Sequence, residues 1–255
     1  MNDEAASELQ ILFPTLASSA DASLEVTDPE FVAFYDDFAF AETLRHVALD
    51  RRDRIAFQLA ATVAVGALSE FRLLLNAALE IGVTPVQVKE LIYQAVAYVG
   101  MARVVDFLHV TNDVFIQRGI PLPLEGQSTT SSQTRMSDGL AKQKQIFGAE
   151  GVDAMYSTAG DAVRFQEFLS GNCFGDYYTR TGFDAKQREL ITFALLAALG
   201  GADNQVRAHV AGNLAVGNSR GDLLDILTVL VAYIGYPRTL NALAQVNAAA
   251  PASSE

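Results

Sequence analysis

Cysteine is nearly absent, with Cys173 alone in 255 residues. One thiol excludes an intrachain disulfide framework, a thiolate metal cage and a Cys-x-x-Cys redox pair. It leaves Cys173 the role of a small, half-buried hydrophobe. Positive charge is scarce as well. Against 30 Asp and Glu stand 18 Lys and Arg, a net charge of −12, and a phosphate backbone or an anionic membrane needs the clustered basic residues this chain lacks. Long apolar runs are missing: Ile191 to Leu199 and Ile226 to Ile234 stop far short of the ~20 residues that span a bilayer, and read as core helices. The amino terminus, Met1 to Ser7, is acidic where a signal peptide is basic, so the expected compartment is the cytoplasm. The histidines, His46, His109 and His209, are too far apart in sequence for a helical metal pair, and neither a metal site nor a cofactor is expected.

What the sequence has in abundance is apolar surface. Half of the residues are hydrophobic, a surplus that predicts burial between helices and between subunits. The segment Pro121 to Met136 interrupts every periodic signal with Pro-Leu-Pro, Gly126 and a Ser/Thr/Gln cluster, and reads as a linker dividing residues 1–120 from 137–255. The two halves are similar. Phe31, Phe34, Phe40, Asp50 and Arg54 slide onto Phe165, Phe168, Phe174, Asp184 and Arg188 at one constant offset. After one inserted residue near Gly200-Gly201, Arg72 meets Arg207, Gly82 meets Gly217, and Ala97-Tyr98-Val99-Gly100 meets Ala232-Tyr233-Ile234-Gly235. A duplication explains this, and the local signals agree between the copies. Thr84-Pro85-Val86-Gln87 and Ser219-Arg220-Gly221-Asp222 each predict a capped helix start. Gly82, Gly100, Gly217 and Gly235 follow apolar-periodic runs, where a left-handed residue ends a helix. The spacing of Leu190, Ile191, Ala194, Leu195 and Ala198, and of Val206, Val210 and Leu214, is helical. The expected fold is all-α, a duplicated unit of helices of about ten to fifteen residues, with no strand.

Differences between the copies point to chemistry, because two copies of one fold share its structural demands. His209, within Ala208-His209-Val210, falls where the first half has Leu74. The fold itself does not need an imidazole there, which favours a site histidine over a satisfied core histidine. Glu189 falls where the first half has Ile55. A buried carboxylate next to His209 would make an acid or base with its orienting partner; the alternative is an exposed glutamate in a first helical turn, favoured by the helix dipole. Arg180, Arg188 and Arg207 surround the same segment, and a guanidinium is the natural grip for a substrate carboxylate. Arg188 and Arg207 have counterparts in Arg54 and Arg72, so a salt-bridge role is equally open to them.

Gly175-Asp176-Tyr177-Tyr178-Thr179-Arg180-Thr181-Gly182-Phe183-Asp184, with Arg188-Glu189-Leu190, Ala197-Ala198-Leu199-Gly200-Gly201, Ala208-His209-Val210 and Tyr233-Ile234-Gly235-Tyr236-Pro237, resembles the carboxymuconolactone decarboxylase family. The resemblance covers Gly139 to Ala248 well, and Phe31 to Arg118 as a degenerate copy. It implies an alkyl hydroperoxidase D-like helical fold and an assembly of six units as a ring of three dimers, hence a homotrimer of this tandem chain. It also implies a cofactor-free carboxy-lyase for a small carboxylated lactone or keto acid. His209 would transfer the proton, Glu189 would set its ring, and Tyr178 and the three arginines would contact substrate. Three departures stand out. Gly200-Gly201-Ala202-Asp203-Asn204-Gln205 occupies the stretch where the peroxidase branch carries Cys-x-x-Cys, Tyr178 stands where aromatic-acid decarboxylases often carry tryptophan, and Glu189 stands where some of them carry a small hydroxyl residue. The competing expectations are a non-catalytic binding or assembly protein and, less favoured, a peroxidase without its thiols.

Overall fold

Two helices in each half start on side-chain caps that come in matched pairs. The computed structural model describes residues 1–14 and 22–252. In the first half, α1 (Asp3–Leu12), α2 (Ala22–Thr27) and α3 (Pro29–Asp37) lead into a π-helical turn, Phe38–Glu42, and a 3-10 turn, Thr43–His46. Then come α4 (Arg51–Val65), α5 (Leu68–Glu80), α6 (Pro85–Val99) and α7 (Met101–Gln117). The second half repeats the order with α8 (Arg135–Phe147), α9 (Ala149–Thr158), a 3-10 turn at Gly160–Ala162 and α10 (Val163–Phe168). A π-helical segment, Leu169–Tyr178, then precedes α11 (Ala185–Leu199), α12 (Asp203–Ala215) and α13 (Arg220–Ala249). No strand occurs among the described residues.

Asp50 and Asp184 cap α4 and α11, each accepting from the backbone N–H three residues on. The expected capping boxes form at Thr84–Gln87 and Ser219–Asp222. Each satisfies two donors that a bare helix start would leave open. Gly82, Gly100, Gly217 and Gly235 all have positive φ. The 30-residue α13 exceeds the expected length because it joins two helices across Gly235, whose φ of 76° and ψ of 163° lie close to the 82° and 153° of Gly100. Arg220 to Ile234 is thus the counterpart of α6, and Tyr236 to Ala249 that of α7. The break also divides the one helix among the described residues that is long and apolar enough to cross a membrane by length and composition.

The duplication reaches further upstream than the sequence comparison does. Phe13, just after α1, meets Phe40 edge-on at 6.3 Å, and Phe147 at the end of α8 meets Phe174 the same way at 6.0 Å. The halves pack reciprocally, as an approximate twofold requires: α4 lies along α11, and α4 contacts α13 as α11 contacts α6. Their shared core includes Ile55, Phe71, Leu74, Phe193, Leu195 and Leu230, all fully or almost fully buried. The segment joining the halves is pinned to the second: Gln127 O accepts from Thr181 N, Thr129 donates to Thr179 O and Thr130 donates to Gly175 O. Its last two residues, Arg135 and Met136, already belong to α8.

Candidate functional site

Glu189 lies just past the capped start of α11, on the face turned into the protein, and is 0% exposed. The exposed first-turn alternative is therefore not what the structure adopts. An isolated carboxylate at such depth is costly unless its oxygens are matched by donors, and both are. His209 Nδ1 lies 2.8 Å from Oε2, and the Tyr178 hydroxyl donates to Oε1 at 2.9 Å. An ionised Glu189 accepting on both oxygens is matched by a hydrogen on Nδ1, which leaves Nε2 on the far side of the ring from the carboxylate.

The helix pair is locked around this contact. Asn213 Nδ2 donates to the Glu189 carbonyl at 3.1 Å and to the His209 carbonyl at 2.7 Å. Phe147 and Tyr98 meet the imidazole edge-on at 5.3 and 6.0 Å. Gly212, one turn beyond His209, makes room for the carboxylate: a Cβ there would stand 2.5 Å from Glu189 Oε2. Its counterpart in the first half is Ala77, beside Leu74 and facing Ile55, where no carboxylate has to fit.

Behind Glu189 the hydroxyls form a closed cluster. Gln94 Nε2 donates to Thr192 Oγ1 at 2.9 Å, the Thr192, Tyr98 and Tyr178 hydroxyls lie 2.6 to 3.0 Å from one another, and Tyr178 donates to Glu189. Burial, together with the nearby Glu189 charge, pushes the Tyr98 and Tyr178 phenols well above their usual range, so both remain donors. Cys173 lies 3.9 Å from the Tyr98 hydroxyl, and its thiol is pushed up to about 12, chiefly by burial. A thiol so protonated is a poor nucleophile near neutral pH.

The structure thus brings His209, Glu189 and Tyr178 together, and places the three arginines elsewhere. Arg188 is fully buried, with Nη1 on Gln94 Oε1 at 2.9 Å and Nη2 on Glu90 Oε2 and the carbonyls of Arg180 and Thr181. Arg180 pairs with Glu90 through Nε and Nη2 at 2.9 Å. Arg207 hydrogen-bonds Gln245 on the exposed side of α12. Sequence comparison of the halves did not single out Tyr98, Thr192, Phe147 or Gly212. Tyr98 is masked by its like counterpart Tyr233, whereas the exchanges of Thr192 for Gln58 and Gly212 for Ala77 were readable signals.

Two stretches, residues 29–113 and 164–248, match the model of the carboxymuconolactone decarboxylase family. The 4-carboxymuconolactone decarboxylase of Acinetobacter baylyi is 32% identical over 108 residues, which make up 42% of this chain and 80% of that protein. A solved structure from Burkholderia xenovorans, provisionally named a gamma-carboxymuconolactone decarboxylase subunit, aligns over 96% of this chain and 95% of its own, with a TM-score of 0.54 at 20% identity. With both halves of its repeat matched, this chain belongs to the carboxymuconolactone decarboxylase family as a tandem, two-unit member.

Proposed function

We propose that the protein is a carboxy-lyase for a small carboxylated lactone or related keto acid of the 4-carboxymuconolactone type, with the chemistry at His209. The observation that carries this reading is the buried Glu189 carboxylate on His209 Nδ1, present only in the unit that also has the histidine. Decarboxylation breaks the bond to the carboxylate carbon, releases carbon dioxide and leaves the electron pair delocalised as an enolate, which must then take up one proton at carbon. An imidazolium stabilised by Glu189 supplies that proton from Nε2 and recovers it from water. His209 is suited to this position because its side chain retains 12% exposure while its partner Glu189 has none. Tyr178 contributes by holding the carboxylate in place through its hydroxyl. A thiol-peroxidase reading finds no support in Cys173, buried and held protonated.

The experiment is turnover of 4-carboxymuconolactone by the wild type and by His209→Ala. General acid–base loss should lower the rate by ~100-fold to 10,000-fold. A variant turning over at the wild-type rate would remove His209 from the mechanism and favour an assembly role.

A further inference from the structure

A cavity of about 400 Å³ opens away from the His209 cluster, between α6, α7 and the segment that joins the two halves. Its charged lining comprises Lys89, Glu90, Glu125 and Arg180, with Tyr93, Asn112 and Gln127 beside them. Its volume is within the roughly 300–1,000 Å³ range of small-molecule sites. Lys89 is the unusual member. It is 8% exposed, donates to Asn112 Oδ1, and has no carboxylate within ion-pair distance among the described residues. Its ammonium also stands over the Phe115 ring at 5.7 Å; an amide and a ring face leave the buried charge without a counter-ion, and a ligand anion would supply one.

The duplication again separates structural demand from function. The counterparts of Lys89, Tyr93 and Arg180 are Leu224, Thr228 and His46, and these line an apolar groove of the first-half π-helical turn together with Leu227, Val231 and Leu240. The fold accepts hydrocarbon at the Lys89 position, so the lysine is not there to hold the helices together. The lining cations, Lys89 and Arg180, are matched in number by Glu90 and Glu125, but neither carboxylate pairs with Lys89. Glu90 is committed to Arg180 and Arg188, at 2.9 and 3.0 Å. Glu125 sits on the exposed joining segment at the mouth. The Tyr93 ring, Val86, Leu122 and Leu124 supply apolar walls.

We propose that this cavity binds a small organic monocarboxylate, its anionic end on Lys89 and Arg180 and its apolar body against Tyr93 and the joining segment. It is a second site, sharing no lining residue with the His209 cluster, and it does not depend on the lyase reading. Burial lowers the Lys89 ammonium below the usual lysine range in the empty protein, and a bound carboxylate would oppose that shift.

Calorimetric titration of the full chain with sodium benzoate at low ionic strength should give a saturable one-to-one isotherm, and benzyl alcohol, the same ring without the charge, should give none. Lys89→Met keeps the aliphatic stem and should weaken benzoate about tenfold or more, ~1.4 kcal/mol. Arg72→Gln, which removes an exposed arginine on α5, should leave it unchanged. Glu125→Gln removes the competing carboxylate from the mouth and should tighten binding, an arm that stands even if Lys89→Met fails to fold. No saturable benzoate binding at millimolar concentration overturns the proposal. So does equal binding by benzyl alcohol, by a folded Lys89→Met protein, or by Glu125→Gln relative to wild type.

Discussion

Adding one methyl group at Gly212 tests the packing around Glu189 without removing or replacing a polar atom. The new Cβ would stand 2.5 Å from Glu189 Oε2 and 3.0 and 3.2 Å from two carbons of the Phe147 ring. The carboxylate cannot swing aside freely, because its two oxygens are committed to Tyr178 and His209. Relief therefore comes from stretching the 2.8 Å contact to Nδ1 or from displacing Phe147 off the imidazole. On propensity alone Gly→Ala inside a helix is favourable by about 1 kcal/mol. Overpacking opposes it by ~1–3 kcal/mol, and weakening a charge-assisted hydrogen bond adds about 1.5–3 kcal/mol. A net loss of about 2 kcal/mol follows, a fall of roughly 4–8 °C in Tm for a chain of this size. The assay is thermal unfolding alongside the ring-nitrogen spectrum of His209, whose Nδ1 proton resonance should shift or broaden. The converse change at the counterpart, Ala77→Gly, should cost the propensity of about 1 kcal/mol and roughly 0.8 kcal/mol more for the buried methyl, with no effect on His209. A Gly212→Ala protein more stable than wild type, with the His209 resonance unmoved, would refute the reasoning, since propensity would then be the only effect.

Leu74→Ala, at the counterpart of His209, should cost ~2–5 kcal/mol by transfer and cavity terms, and turnover per folded molecule should stay within twofold of wild type, roughly 0.4 kcal/mol in barrier; a large rate loss in a folded Leu74→Ala protein would place chemistry in the first unit too. For Glu8, burial alone would raise the carboxyl pKa, but the hydrogen bond and charge of Arg51 and the charge of Arg54 outweigh it and lower it below the ordinary 4.5. A depressed carboxylate stabilises the fold fully above its unfolded pKa and loses that stabilisation as pH falls through its folded value. Denaturant titrations should accordingly show a gap between wild type and Glu8→Gln that is constant above about pH 5 and narrows in acid; a gap independent of pH would exclude this linkage. The matched aromatic pairs Phe31 and Phe34, Phe165 and Phe168 are 58–67% exposed, which supports the proposal of a homotrimer; a monomer by light scattering at micromolar concentration would exclude it.

The helical repeat was legible because its signals are local. Caps at Thr84 and Ser219, and glycines at positions 82, 100, 217 and 235, act within one turn of chain, so the residue type nearly dictates the conformation. Glu189 and His209 were legible for a different reason: each replaces hydrocarbon in the other copy. What was not legible depends on distance in sequence. The cluster of Gln94, Thr192, Tyr98 and Tyr178 joins residues from both halves, and none is unusual in its own helix. The arginines show the limit most clearly. Their clustering along the sequence suggested one carboxylate grip, yet Arg207 faces the outside of α12 while Arg188 is spent on Glu90, Gln94 and two carbonyls. Helical periodicity does not say which buried partner a long side chain will reach.

The same packing explains why the first unit persists beside a site it does not itself contain. Tyr98 enters the His209 cluster from α6, and Gln94 on the same helix ties Thr192 to Arg188, so the first unit supplies two members of the hydrogen-bonded cluster. By the approximate twofold, α13 presents Tyr233 to the first unit, where it meets Tyr35 at 6.3 Å instead of a histidine. The exchange of α6 and α13 is thus kept in both directions, while the polar residues it serves survive on one side only. With hydrocarbon at Ile55, Leu74 and Ala77 the first unit avoids burying two groups that are expensive to bury, and through Tyr98 and Gln94 its packing also serves the polar cluster of the second unit.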